Sequence, residues 1–387
     1  MVNCINCRKE NAVENVKRMK LGKETMCENL YHMPSKIKQT HDDFVKSMDE
    51  GNWGFLLVRG DNGAGKTRYV KTVEAIARNK DYCIAHIELM GDEIKQYGIP
   101  GFIVHQCLHK LRLPDGYQFL PKIQTNDNFK RQVRKAIEHD RSILEFWSSS
   151  LTTIMLHLTN PNIEAEKKGL VTEWLRGSSI YVKDLRNLGI FNQKMKSFLD
   201  VPVKEALYFV KQLCHSLDYK GLLIVADEIE KGGELYPNKG RAFLDSLRDA
   251  INILLDTESL PNRIGIQKGL FVIFAISVPY LFWARLIPTE DVRMRGIEAY
   301  TKPRTTIDLS PRLHTILADC ASTIDVDIDN LEDLEGIIKR IVPCYNKATA
   351  TSISVNTKKL AETTLKMSGG CLPRTNIQNA IKLLEKE

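Results

Sequence analysis

Lys66 and Thr67 close the stretch Gly60-Asp61-Asn62-Gly63-Ala64-Gly65-Lys66-Thr67, in which four residues separate Gly60 from Gly65. The pattern G-x-x-x-x-G-K-[ST] holds phosphates when a strand precedes it and a helix follows. The apolar run Phe55-Leu56-Leu57-Val58 lies just before it, and a helical pattern runs from Lys66 to Lys80. Glycines let the backbone curl so that its N–H groups, from Asn62 to Arg68, point at phosphate oxygens, and the helix N-terminus adds positive potential. Lys66 is expected to reach the β- and γ-phosphates of ATP, and Thr67 to hold Mg²⁺ through its hydroxyl. The competing reading is a glycine-rich turn with no nucleotide.

Asp227 ends the apolar run Leu222-Leu223-Ile224-Val225-Ala226. A carboxylate there is costly unless something binds it, and Mg²⁺ would do so directly or through water. Glu228 follows at once, positioned to polarise an attacking water. Such a pair favours a water-activating ATPase over a small-molecule kinase or a GTPase, and the sequence has no Asn-Lys-x-Asp guanine reader. Asp227-Glu228 also reads as the cap region of a helix. Ser277 ends the next apolar run, where a polar side chain can sense the γ-phosphate or hold the water. Arg374 opens the last helix after a Gly-Gly-Cys-Leu-Pro turn and can face back to the phosphates from a helical lid.

The elements that must position these groups are of the α/β kind. Strands are predicted over 54–60, 82–89, 221–227 and 270–277, with an edge strand over 304–310 that Pro311 ends. Strands that are apolar throughout, alternating with helices, imply a parallel sheet covered on both faces. The predicted architecture is a P-loop core over 51–310 with a parallel five-stranded sheet. A helical insertion, 103–218, interrupts it. A helical lid follows over 311–387, whose last helix carries Ile377, Ala380, Ile381 and Leu384 at helical spacing. Residues 1–50 read as an N-terminal helical, polar segment, with no turn cluster that marks a separate domain.

Bulk properties narrow the setting. The net charge of +7 is compatible with nucleic acid without requiring it. The basic stretch 128–141 reads either as a solvated helix face, with Phe129, Val133 and Ile137 inward, or as a nucleic-acid surface. The most apolar charge-free run, Gly269 to Ala284, contains Pro279 and falls short of the ~18 residues a membrane helix needs. The first residues lack the apolar region of a signal peptide. A soluble, cytoplasmic protein with no membrane partner is expected. Nine cysteines, an odd number, imply reduced thiols. Cys4 and Cys7 form a CxxC pair that Cys27 and His32 can complete as four zinc ligands, with plain thiols as the competing reading.

The phosphate loop, the strand-ending Asp-Glu, the polar strand end and the Pro373-Arg374 helix start together resemble AAA+ ATPases over about residues 50 to 387, in the branch of initiators and transposition regulators. A narrower likeness lies in the insertion. The stretch EWLRGSSIYVKDLRNLGI (173–190), followed by a helix and YKGLLIVADEIEK, is similar in order to the small ATP-binding proteins of bacteriophage-exclusion (BREX) gene clusters. The run from Leu30 to Gly54 into the loop shares that likeness. Asn62 and Ala64 replace a Tyr and a Ser frequent in that family's loop, which leaves phosphate binding intact. The resemblance implies an ATPase acting on double-stranded DNA beside other defence-system proteins, with ATP driving assembly or loading. It also implies a homo-oligomer in which a neighbouring subunit supplies an arginine. Arg285, Arg293, Arg295 and Arg304 follow the sensing strand where that residue belongs, and Arg293 or Arg295 is favoured. An ATP-dependent transposition or replication regulator shares this chemistry. A switch or scaffold with little turnover is a further reading, against which Glu228 counts.

Overall fold

The computed structural model describes residues 9–21, 32–61, 63–89, 93–139, 149–228, 249–250, 253, 269–277, 322–326, 328, 330–368 and 373–386. Its centre is an α/β sheet of β1 (Gly54–Gly60), β2 (Tyr82–Glu88), β3 (Leu111–Arg112), β4 (Gly221–Asp227), β5 (Leu270–Ser277) and β6 (Ser322–Asp325), in the order β3-β2-β4-β5-β1-β6. β2, β4, β5, β1 and β6 run parallel, and the two-residue β3 pairs antiparallel with β2.

β4 and β5 are apolar at nearly every position because alternate residues feed different cores. Leu223, Val225, Phe271, Ile273 and Ala275 pack with Tyr69, Val70 and Val73 of the helix Lys66–Asn79. Leu222, Ile224, Ala226, Val272 and Phe274 pack on the other face with the insertion. That insertion is helical from Glu93, earlier than the sequence pattern indicates, through Val203–Ser216.

Five parallel strands are present, but the fifth differs from the sequence expectation. The predicted edge strand 304–310 lies outside the described residues. The strand beside β1 is β6, within a tail read from sequence as wholly helical. Its signal is in the sequence: Ile324, Val326 and Ile328 alternate with aspartates at a period of two, and all three are buried.

The two described helices of the segment 1–50 pack on different cores. Helix Lys9–Lys20 buries Ala12, Val16 and Met19 among Leu334, Ile338, Ile341 and Ile381 of the C-terminal helices Leu331–Thr349 and Pro373–Leu384. Helix Lys38–Asp49 instead sets Phe44 edge-on to Phe271 of β5, with ring centroids 5.3 Å apart. An amphipathic stripe specifies which face of a helix is buried, not which partner covers it. Among the described residues no helix is long and apolar enough to cross a membrane.

β5 lies between β1 and β4, and all three point the same way. The phosphate-loop stretch, Asp227 and Ser277 therefore emerge at one edge of the sheet, the carboxyl edge where α/β proteins bind ligands. Ser277 pairs with Gly60 at the root of the loop.

Candidate nucleotide site

The loop leaves β1 at Gly60 and turns through Gly63 (φ +88°) and Gly65 (φ +112°), both left-handed, a conformation costing other residues about 1 kcal/mol or more. Ala64 N–H donates to the Asp61 carbonyl at 3.0 Å, closing the turn, and Tyr69 N–H donates to the Gly65 carbonyl at 2.9 Å, starting the helix. Buried Lys66 reaches back into the loop, its Nζ donating to the carbonyls of Gly60 (2.9 Å) and Asp61 (3.2 Å). The lysine thus lies across the loop, its donors held by the carbonyls at the loop's root. Arg68 sits in the same first helical turn. Asn62 lies outside the described residues.

Thr67 Oγ1 donates to Asp227 Oδ2 at 3.0 Å, joining motifs 160 residues apart. Asp227 is 3% exposed. Burial pushes its carboxyl above the usual range, against the opposing pull of the Glu228 N–H on Oδ1 (2.8 Å), His86 and the Thr67 hydroxyl. An unpaired carboxylate in such a place is costly. A hydroxyl and a carboxylate oxygen this close are hard donors that suit Mg²⁺, which takes its remaining ligands from water and phosphate. Glu228 itself adopts φ +56°, a left-handed backbone uncommon for a non-glycine residue, which it shares with Asp81, Asp218 and Ala350 at turns and helix ends.

Two residues at this edge were missed in the sequence. His86 of β2 places Nε2 3.9 Å from Asp227 Oδ2. Its Nδ1 bonds the carboxylate of Glu74, on the phosphate-loop helix. Burial alone would lower the imidazole's pKa, but the Glu74 bond, with Asp227 and Glu88 nearby, raises it above the usual histidine value. The available signal was a polar residue inside the otherwise apolar run Tyr82-Cys83-Ile84-Ala85-His86-Ile87. Its proximity to Asp227 depends on β2 pairing with β4 in register, which one sequence does not reveal.

Arg374, in the first turn of the helix Pro373–Leu384, lies against the loop. A Cβ built on Gly63 would sit 3.2 Å from Arg374 Cβ and 3.3 Å from its Nε. Arg374 and the loop at Gly63 are thus brought together. For Ser277 the structure gives the backbone position only. Arg285, Arg293, Arg295 and Arg304 lie outside the described residues.

Cys4, Cys7 and Cys27 also lie outside them. His32 is engaged elsewhere: its Nε2 meets Asp333 Oδ1 at 3.2 Å, and its ring covers Gly336 so closely that a Cβ there would be 2.3 Å away. Asp333 also accepts from the backbone N–H of Ser35 at 3.1 Å, tying the residues before helix Lys38–Asp49 to the lid. Among the described residues no cluster of three or more His, Cys, Asp or Glu side chains is arranged to hold a metal. No family model matches this chain, and no curated protein is significantly similar to it.

Proposed function

We propose that this chain is a Mg²⁺-dependent ATPase of the AAA+ type. On this reading it acts on double-stranded DNA in a BREX-like anti-phage assembly with other defence-system proteins. The observation that carries the nucleotide reading is the 3.0 Å contact between Thr67 and Asp227, at the carboxyl edge where the loop emerges. Lys66 exchanges its loop carbonyls for phosphate oxygens. Thr67 and Asp227 hold Mg²⁺, which neutralises charge on the β- and γ-phosphates. Glu228 accepts the proton of the attacking water. Arg374, beside Gly63, and a neighbouring subunit's arginine, Arg293 or Arg295, stabilise the charge that develops on the transferred group. The defence setting is supported by the motif order from Trp174 to Glu228, and the DNA partner by the basic balance of the chain.

Turnover per chain as a function of protein concentration, with and without duplex DNA, tests this. It should rise with concentration, because one subunit lacks the arginine, and rise further on DNA that gathers subunits. Lys66→Ala mixed with Arg293→Ala or Arg295→Ala should recover part of the activity that each variant lacks alone. A rate per chain independent of concentration, with no rescue and no response to DNA, would contradict the multisubunit reading and favour a monomeric switch.

A further inference from the structure

Two aromatic rings stand almost wholly in solvent ten residues apart: Tyr181 is 82% exposed and Phe191 83%. They are the most exposed large hydrophobics among the described residues, and both lie in the insertion. The segment that carries them is closed and filled. Ile180 N–H donates to the Lys196 carbonyl at 3.1 Å, and Trp174 Nε1 donates to the Met195 carbonyl at 2.9 Å, so the two ends meet. Leu185, Leu188 and Ile190 pack inside. Each exposed ring directly follows a buried isoleucine, Ile180 or Ile190, which anchors the backbone and turns the next side chain outward. The rings are displayed by a compact loop of the kind that frequently carries function.

The charges around them are unbalanced. Residues 176–196 contain Arg176, Lys183, Arg186, Lys194 and Lys196 against Asp184 alone, and all five bases are exposed. None of the five is ion-paired among the described residues. The other basic stretch, helix Asp127–His139, is half neutralised: Lys130 pairs with Asp127 at 3.1 Å and Arg134 with Glu138 at 2.8 Å, which leaves Arg131 and Lys135, and its aromatic residue Phe129 is buried where Tyr181 and Phe191 are exposed.

We infer that the 176–196 loop is a binding surface for single-stranded nucleic acid, with Tyr181 and Phe191 stacking on unpaired bases and the five bases tracking the phosphates. Exposed aromatics amid unpaired positive charge are what such a strand requires, since every base has a flat face and every nucleotide a phosphate. Ser178, Ser179, Asn192 and Gln193, exposed on the same loop, offer hydrogen bonds to base edges. This deepens the DNA association proposed above and rests on that reading for the class of ligand.

Fluorescence anisotropy with a labelled thirty-nucleotide oligo-dT and a duplex of equal length tests it on the full chain. Tyr181→Ala/Phe191→Ala should weaken oligo-dT binding by at least ~10-fold, the scale of lost stacking, with an unchanged salt slope. Lys194→Glu/Lys196→Glu should flatten the salt slope as phosphate contacts disappear. Duplex affinity should stay within about twofold in the aromatic variant. Since both rings are exposed, its melting temperature should match the parent's. Oligo-dT binding by the parent that the aromatic variant retains in full would overturn the inference. So would duplex binding with no oligo-dT binding, which leaves the DNA-associated reading standing. Binding of neither probe would overturn that reading as well.

Discussion

Two aspartates sit at opposite ends of the same sheet and are held in opposite ways. Asp49, at the end where the strands begin, is 54% exposed, and its bond to Lys80 holds its carboxyl below the usual range. Lys220 Nζ donates to the Asp49 carbonyl at 2.7 Å, Tyr82 Oη to the Met48 carbonyl at 2.8 Å, and Gly269 N–H to the Asn52 carbonyl at 2.7 Å. These polar groups find partners within the chain. Asp227, where the strands finish, is buried and pushed the other way, with Thr67, His86 and the Glu228 N–H as incomplete compensation. Lys66, nearby, bonds to loop carbonyls that need no cation. A carboxylate stabilised by its own chain marks structure. One raised by burial beside a buried lysine marks a place whose charges suit a ligand.

Substitutions at the two ends should separate them. The largest effect is expected from Glu228→Gln, which keeps shape and loses charge: single-turnover hydrolysis should fall at least ~100-fold while ATP affinity persists. Undiminished turnover would move the water-activating role elsewhere. Arg374→Ala should lower turnover roughly 10-fold in steady-state assays, below the 10²–10³ lost with a fixed buried donor, because Arg374 is exposed. No change would mean that its place over Gly63 is packing alone.

Asp227→Asn sharpens the contrast through stability. The fold favours the neutral carboxyl, so ionisation lowers stability as pH rises from about 4 through the raised folded value. At pH 7, without nucleotide, the Asn variant should melt ~2–4 °C above the parent, the shift given by roughly 1 kcal/mol in a large domain. The gap should close as pH falls toward 4, and Mg²⁺·ATP should raise the parent's melting point but not the variant's. A parent that melts above the variant at pH 7 would break the comparison. The smallest effect belongs to Asp49→Asn, which should leave the melting temperature within about 1 °C and ATP turnover unaltered, as exposed ion pairs contribute little.

Much of this site was legible because its signals are local. The loop spacing, the limits of β1, β4 and β5, and the position of Asp227 at a strand end all follow from short stretches. Arg374 was read only as facing the phosphates from the helix it opens, and it lies beside Gly63 of the loop. What was not legible depends on pairing over long distances. β6 was hidden because its period-two alternation is brief and sits in a helical tail. The partner of helix Lys9–Lys20 could not be read because an apolar stripe is compatible with either core. His86 comes near Asp227 only because β2 pairs with β4 across an insertion of more than a hundred residues.

Calorimetric titration of Mg²⁺·ATP into the parent and into Lys66→Ala tests the central claim most directly, with melting curves confirming that both are folded. Removing a charged donor from the phosphates should weaken binding by ~100-fold or more, corresponding to about 3 kcal/mol. Equal affinity in the two proteins would contradict the assignment of residues 60–67 as the phosphate site.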